Sequence, residues 1–193
     1  MEVRSESMLN KWDYSGVDSV CYSDVKQESY KKSAEFLGDN VEDWGCGTGW
    51  SKRYFKTYRG IDGSAHENVD EIVDLVNYTS DVDNILLRQV LELNVEWRKI
   101  LENIKKSFRK KLCIVIFTPF SDTTKIGEVE KVLTSKGVET GKDLNLMYFN
   151  KEDILNYFPS TEFKVTEEVI KTGQGYNQDW IIYIERITNS KNN

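Results

Sequence analysis

Between Trp97 and Phe108 the apolar residues Trp97, Ile100, Leu101, Ile104 and Phe108 recur at the spacing of one helical face. Arg98, Lys99, Lys105, Lys106, Arg109 and Lys110 fill the other faces, so the pattern predicts a helix from Val95 to Lys110 with a basic outer side. Six apolar residues follow in a row, Leu112 to Phe117, and Pro119 stops them. Such a run suits a central strand covered on both faces. The same reading predicts a helix from Asp24 to Leu37, opened by Asp24 with Gln27 as a capping box and closed by Gly38. It predicts strands over Asn40–Trp44, Tyr58–Asp62, Val69–Asp74 and Val82–Leu87, with a short helix over Trp50–Lys56. Residues 125–136 and 151–158 read as helices separated by a loop from Gly137 to Asn145. Phe163–Ile170 and Asp179–Ile187 read as two final strands that close on each other, so the sheet ends antiparallel. Strands alternating with amphipathic stretches make the chain α/β.

Composition narrows the picture. The chain has 193 residues, the size of one domain with a substantial core. Five Trp, ten Tyr and eight Phe supply apolar area that argues against disorder. No apolar run approaches the roughly 18 residues that span a bilayer, and Met1–Ser7 lacks an apolar signal core. Neither a membrane anchor nor secretion by that route is expected. The three cysteines, Cys21, Cys46 and Cys113, show no C-x-x-C spacing. A disulfide framework and a metal site are therefore not expected, and a reducing cytoplasm fits. A net charge of −6 excludes a generally basic nucleic-acid footprint but not a local basic patch.

Candidate chemistry concentrates in Val41-Glu-Asp-Trp-Gly-Cys-Gly-Thr-Gly-Trp50. Gly45, Gly47 and Gly49 leave a strand and open a helix, where glycine permits a tight turn and close backbone approach to a ligand. The spacing is not the G-x-G-x-x-G of nicotinamide enzymes, and no Gly-Lys-Ser/Thr follows as in a P-loop. Asp43 ends the first strand, and Asp62 ends the next, 19 residues later. A doubly wound fold places there the carboxylate that accepts two hydrogen bonds from a ribose diol. Asp74 ends the third strand beside the same crevice, where an acceptor suits an adenine amino group.

Asp43-Trp-Gly-Cys-Gly-Thr-Gly49 resembles the first motif of the class I S-adenosylmethionine-dependent methyltransferases. Tyr58-Arg-Gly-Ile-Asp-Gly-Ser64 is similar to the second, and Arg88-Gln-Val-Leu-Glu-Leu93 to the segment after the fourth strand. Leu93 stands where the family often has His, and Ser107-Phe-Arg-Lys-Lys111 replaces its Pro-Gly-Gly turn, a change expected to touch only a loop. The resemblance spans residues 40–120. It implies a Rossmann-like sheet of seven strands in the order 3-2-1-4-5-7-6, the last antiparallel, flanked by helices. It implies one domain over 1–193: an N-terminal aromatic segment and helix (1–38), a cofactor-binding half (39–120) and a substrate-side half (121–187). The cofactor it implies is S-adenosylmethionine. Gly45, Gly47 and Gly49 would approach its methionine part, Asp43 its amino group, Asp62 the ribose, and Asp74 with the backbone of Leu75 the adenine. Arg88 would line the methyl-transfer pocket.

The residues leave several alternatives open. Asp62 also fits as a strand-end cap, Asp74 as a surface turn residue, His66 as a solvated side chain or a base, and Arg88 as a substrate ligand or the ion-pair partner of Glu92 at i+4. His66, Glu92 and Arg88 are the catalytic candidates. Tyr14 and Tyr22, with Arg88, are the candidates for binding the acceptor, while Trp12 is expected to pack on the sheet. Cys46 is assigned no chemistry. The acidic balance points to a small polar or glycan acceptor, and a sugar hydroxyl is the leading expectation. A nucleic-acid methyltransferase using the basic helix, and a cofactor-binding subunit without catalysis, stand as alternatives.

Overall fold

A computed structural model of the chain describes residues 8–12, 14, 24–133, 139–173 and 176–187, with the side chains of 24–26, 132, 133 and 139–142 set aside. Five strands are parallel: β1 (Asn40–Trp44), β2 (Thr57–Asp62), β3 (Glu71–Ile72), β4 (Val82–Arg88) and β5 (Phe108–Ile116). Two strands of a separate sheet follow, β6 (Lys125–Leu133) and β7 (Glu139–Tyr148), and then β8 (Phe163–Ile170) and β9 (Asp179–Arg186). The seven-stranded sheet runs β3-β2-β1-β4-β5-β9-β8, with β9 antiparallel to both neighbours. Counted within that sheet, this is the expected 3-2-1-4-5-7-6 order.

Helix α1 (Asp24–Leu37) covers one face and α2 (Trp97–Ser107) the other, with the short α3 (Lys151–Leu155) beside α2. Strand β5 shows how the sequence arranges this. Leu112, Ile114 and Ile116 join the α2 side of the core, while Cys113 and Val115 join the α1 side. The period of two sends alternate side chains to opposite faces, and both faces are apolar because both are covered. On α2 the stripe Trp97, Ile100, Leu101 and Ile104 is wholly buried.

Three expectations are corrected. The helix stops at Ser107, and Phe108 begins β5, so Arg109 and Lys110 belong to a strand and no loop replaces the family's turn. Phe108 packs against Phe163 of β8, which holds the chain extended. The third strand shrinks to Glu71 and Ile72, because Asp70 turns back to Gly60, accepting its amide at 2.7 Å and donating its own amide to the Gly60 carbonyl. Lys125–Leu133 is a strand instead of a helix, and most of the expected loop after it is β7. Ile126 and Val129 mimic a helical spacing, but pairing with β7 from Lys125↔Tyr148 to Leu133↔Glu139 decides the outcome.

The β6–β7 hairpin positions the site. Leu144 and Leu146 are buried against Met8, Trp12, Leu93, Phe117 and Tyr176, above the carboxyl ends of the parallel strands. The Thr118 hydroxyl donates to the Met147 carbonyl at 2.7 Å and pins the hairpin to the exit of β5.

Candidate active site

The chain leaves β1 through three glycines in the left-handed region, Gly45 (φ 74°), Gly47 (φ 57°) and Gly49 (φ 71°). The amides of Gly45 and Cys46 both donate to the Ile61 carbonyl, at 2.7 and 3.1 Å, so the loop folds back over β2. A Cβ on Gly45 would stand 2.3 Å from Val90 Cγ2, and one on Gly49 2.4 Å from Asn68 Cβ. Those two glycines are fixed by packing. A Cβ on Gly47 would meet only the Tyr14 hydroxyl, at 3.7 Å. Gly47 is thus open toward the cavity beside it, as a backbone surface that receives a ligand must be.

The two acids frame this loop. Asp62 Oδ2 accepts the Gly47 amide at 2.8 Å, Oδ1 accepts the Ser64 amide at 2.9 Å, and the Tyr14 hydroxyl donates to the same carboxylate. Asp43 Oδ2 accepts the hydroxyls of Ser51 and Tyr58, the latter at 3.0 Å. Burial pushes the Asp43 carboxyl up to about 6, and raises Asp62 as well against the pull of the amides it binds. Burial also raises the Cys46 thiol, which keeps it protonated.

A cavity of about 460 Å³ opens at this point. Asp43, Gly45, Gly47, Asp62 and Leu75 line it together with the apolar Phe117, Leu144 and Leu146, and with Met8 and Trp12, which sit beside Gly63 and Ser64. Arg88, Gln89, Val90, Leu93 and Asn94, just past β4, make the floor, and Tyr14, Tyr30 and Glu130 also border it. This is the crevice at the carboxyl ends of the strands, where the sheet order reverses between β1 and β4.

Several expected residues stand elsewhere. Gly49 starts the 3-10 turn Trp50–Tyr54 and does not line the cavity. Asp74 is half-buried outside it, with Oδ1 accepting the Val76 amide at 3.1 Å. His66 is turned away: its Nδ1 accepts the Asn68 amide at 3.3 Å, and its ring meets Tyr14 edge-on at 6.1 Å. Glu92 is wholly buried beneath the floor; Oε1 accepts the Phe117 amide at 2.9 Å, and burial pushes its carboxyl up to about 8. Neither His66 nor Glu92 reaches the space an acceptor would enter. Tyr22 lies outside the described residues.

Arg88 does reach the cavity, but its partners are not those expected. Nε donates to Ser29 Oγ at 3.2 Å, and Nη1 donates to the Tyr30 hydroxyl at 3.0 Å and to Gln89 Oε1 at 2.9 Å. Its ion-pair partner is Asp179 at 3.9 Å instead of Glu92, and the guanidinium lies 4.0 Å over the Tyr30 ring. Arg88 therefore ties α1, β4 and β9 together. Trp12 both packs and lines the cavity, its amide held by Ser64 Oγ at 3.0 Å. The sequence reading missed Gln89, Asn94, Glu130, Leu144 and Leu146. The alternation Leu144-Asn145-Leu146 was the available signal for the last two. Gln89 adopts φ 57°, strain for a side-chain-bearing residue at a strand end.

The strand order, the glycine loop at the end of β1 and the acid at the end of β2 define the fold of the class I S-adenosylmethionine-dependent methyltransferases. Solved structures bear this out. The chain is similar to the Burkholderia thailandensis 1,6-didemethyltoxoflavin-N1-methyltransferase bound to its substrate and S-adenosylhomocysteine, with TM-score 0.62 and 14% identity over 91% of this chain and 84% of that one. It is similar to DhpI in a DhpI-SAM-HEP complex (TM-score 0.60, 13% identity, 88% and 89% covered). It is also similar to a structure from Haloferax volcanii, a complex between the Trm112 methyltransferase activator and the putative methyltransferase (TM-score 0.60, 11% identity, 88% and 92% covered). No family model and no curated protein matches the sequence, so the likeness is one of fold.

Among the described residues, no three His, Cys, Asp or Glu side chains gather to hold a metal ion, and no helix is long and apolar enough to cross a membrane.

Proposed function

We propose that the protein is an S-adenosylmethionine-dependent methyltransferase of one domain acting on a small-molecule acceptor. The observation that carries this reading is the coupling of Gly47 to Asp62: a glycine open to the cavity, its amide bound to a buried carboxylate at the end of the next strand. The cofactor supplies a methyl group already activated by a sulfonium, so the protein's work is to bind, orient and exclude water. Gly45, Gly47 and Asp43 hold the methionine part, Asp62 accepts the ribose hydroxyls, and Leu75, with Asp74 behind it, borders the adenine. Tyr14 donates to the Asp62 carboxylate, and Gly49 keeps the loop closed against Asn68. Relatives in fold bind S-adenosylmethionine or its demethylated product beside small molecules, which supports the same use here. Cys46 and Cys113 are unbonded thiols, in keeping with a reducing cytoplasm.

A nucleic-acid acceptor gains no support. Arg109 and Lys110 lie on β5 and pair with Asp81 and Asp83, Lys99 pairs with Glu96, and Lys105 with Glu162. The basic face expected on one helix is divided between α2 and β5, and four of its six cations are paired with acids.

Calorimetry with S-adenosylhomocysteine, followed by incubation with methyl-labelled cofactor and pooled metabolites, tests the reading. Binding with transfer to a small molecule is expected. Absence of binding overturns it, and binding without transfer to any pool leaves the non-catalytic subunit as the better description.

A further inference from the structure

The acceptor side of the cavity has a chemistry of its own. Beyond the glycine loop the cavity is lined by an apolar cluster of Leu93, Phe117, Leu144 and Leu146, which Met8 and Trp12, held beside Gly63 and Ser64, complete. Phe117 is stacked on Tyr176, with centroids 5.9 Å apart and planes 23° apart, which fixes one aromatic wall. The polar groups near this wall are mostly committed. Asn94 Nδ2 donates to the Val90 carbonyl at 2.6 Å. Gln89 uses Oε1 on Arg88 and Nε2 on Asp179, and Arg88 is held by α1 and β9.

The exception comes from the hairpin. Leu144 and Leu146 pair across the ladder with Glu130 and Glu128, so two carboxylates share the inward face with two leucines. Glu128 accepts the hydroxyls of Tyr148 at 2.6 Å and Tyr176 at 2.7 Å, which hold its carboxyl below the usual range. Glu130 is exposed and borders the cavity, and its carboxylate makes no hydrogen bond or ion pair with any described side chain.

Building on the proposed methyltransferase function, we infer that the acceptor is a small, flat, largely apolar ring compound bearing one N–H or O–H donor, which Glu130 receives. A ring is matched by Trp12 and Phe117, whose faces favour offset-stacked or edge-on partners. One donor is matched by the Glu130 carboxylate, which no described side chain engages. A sugar, the expectation from sequence, brings several hydroxyls to a largely apolar wall where few of the described polar groups are uncommitted, and each unmatched hydroxyl loses its water without compensation. The apolar wall, with the Glu130 carboxylate beside it, thus selects against polyols and toward ring donors.

The test uses the full chain saturated with S-adenosylhomocysteine, whose binding is first measured by calorimetry. The probes are 2-naphthol, 2-methoxynaphthalene and methyl α-glucoside; the naphthol is neutral at about pH 7, as phenols are. The expected result is that 2-naphthol binds at least tenfold more tightly than its methyl ether, with no heat from the glucoside. In Glu130→Leu the preference for the naphthol should fall below twofold, while affinity for S-adenosylhomocysteine stays at the wild-type value and reports an intact fold. Equal binding of the two naphthalenes, an unchanged preference in Glu130→Leu, binding of neither, or tighter binding of the glucoside overturns the inference. Failure to bind S-adenosylhomocysteine at all overturns the methyltransferase reading itself, a separate result seen before any acceptor probe is added.

Discussion

The amide of Gly47 donates to Asp62 Oδ2 at 2.8 Å, joining the loop after β1 to the last residue of β2. One carboxylate thereby shapes the glycine loop and faces the cavity. A change at either residue therefore acts on the loop and on the ligand together.

Asp62→Asn should weaken binding of S-adenosylhomocysteine by about 10- to 100-fold, because hydrogen bonds to a charged acceptor contribute about 1.5–3 kcal/mol each. Calorimetry at matched pH checks this, with thermal unfolding as the control for folding. Unchanged affinity would remove Asp62 from the cofactor site.

The three glycines should separate by role. Gly47→Ala costs about 1–2 kcal/mol of backbone strain but meets no close atom, so it should fold and lose cofactor binding. Gly45→Ala and Gly49→Ala add a collision with Val90 or Asn68 and should lose about 1–3 kcal/mol more stability, seen as a lower melting temperature. Thermal melts beside ligand titrations distinguish the two patterns.

Glu92 sets a pH dependence of stability. Its carboxyl is raised from 4.5 to about 8 in the fold, so the folded state holds a proton that the unfolded chain releases. Stability from this group is full below about pH 4.5 and is lost as pH rises through about 8. Asp43, raised from 3.8 to about 6, acts in the same direction over a lower range. Glu92→Gln removes the ionisation while leaving an oxygen for the Phe117 amide. The variant should melt several degrees above wild type at pH 8.5 and gain little at pH 5. Parallel melting curves at both pH values would show that Glu92 does not stay protonated in the fold.

Arg88→Ala leaves Asp179 buried without its cation and frees Ser29 and Tyr30 from β4. Breaking a buried pair costs about 3–5 kcal/mol. Hydrogen exchange should report the loss first in α1, whose Ser29 and Tyr30 are the direct partners. Wild-type stability combined with lost turnover would instead give Arg88 the acceptor-binding role expected from sequence.

Binding of the wild type to duplex DNA or RNA should be weak, and exchanging Lys105, Lys106 and Arg109 for Glu should change it little, since Lys105 and Arg109 are paired with acids. Tight binding by the wild type that these changes abolish, with a log–log salt slope of about −0.9 per phosphate, would promote the nucleic-acid alternative.

Much of the proposed cofactor wall was legible in the residues. The glycines at 45, 47 and 49 permit the positive φ they adopt, and the acids at 43 and 62 stand at the carboxyl ends of β1 and β2 beside them. These are local properties, and the fold respects them. The acceptor side was not legible. Lys125–Leu133 carries apolar residues at a spacing compatible with either a helix or a strand, and only β7 resolves it. Glu92 reads as a surface acid four residues from an arginine, yet the chain buries it against the Phe117 amide from the end of β5.

By itself, then, the sequence determined the parallel half of the sheet, its glycine turn and its two carboxylates, because periodicity and backbone strain act between near neighbours. The tertiary structure alone decided that Arg88 serves α1 and Asp179, that His66 turns away, and that Leu144, Leu146 and Glu130 form the far wall. Those outcomes depend on contacts between residues tens of positions apart. Hydrogen-bond partners and the buried side of a short strand are chosen there by what the rest of the chain brings alongside.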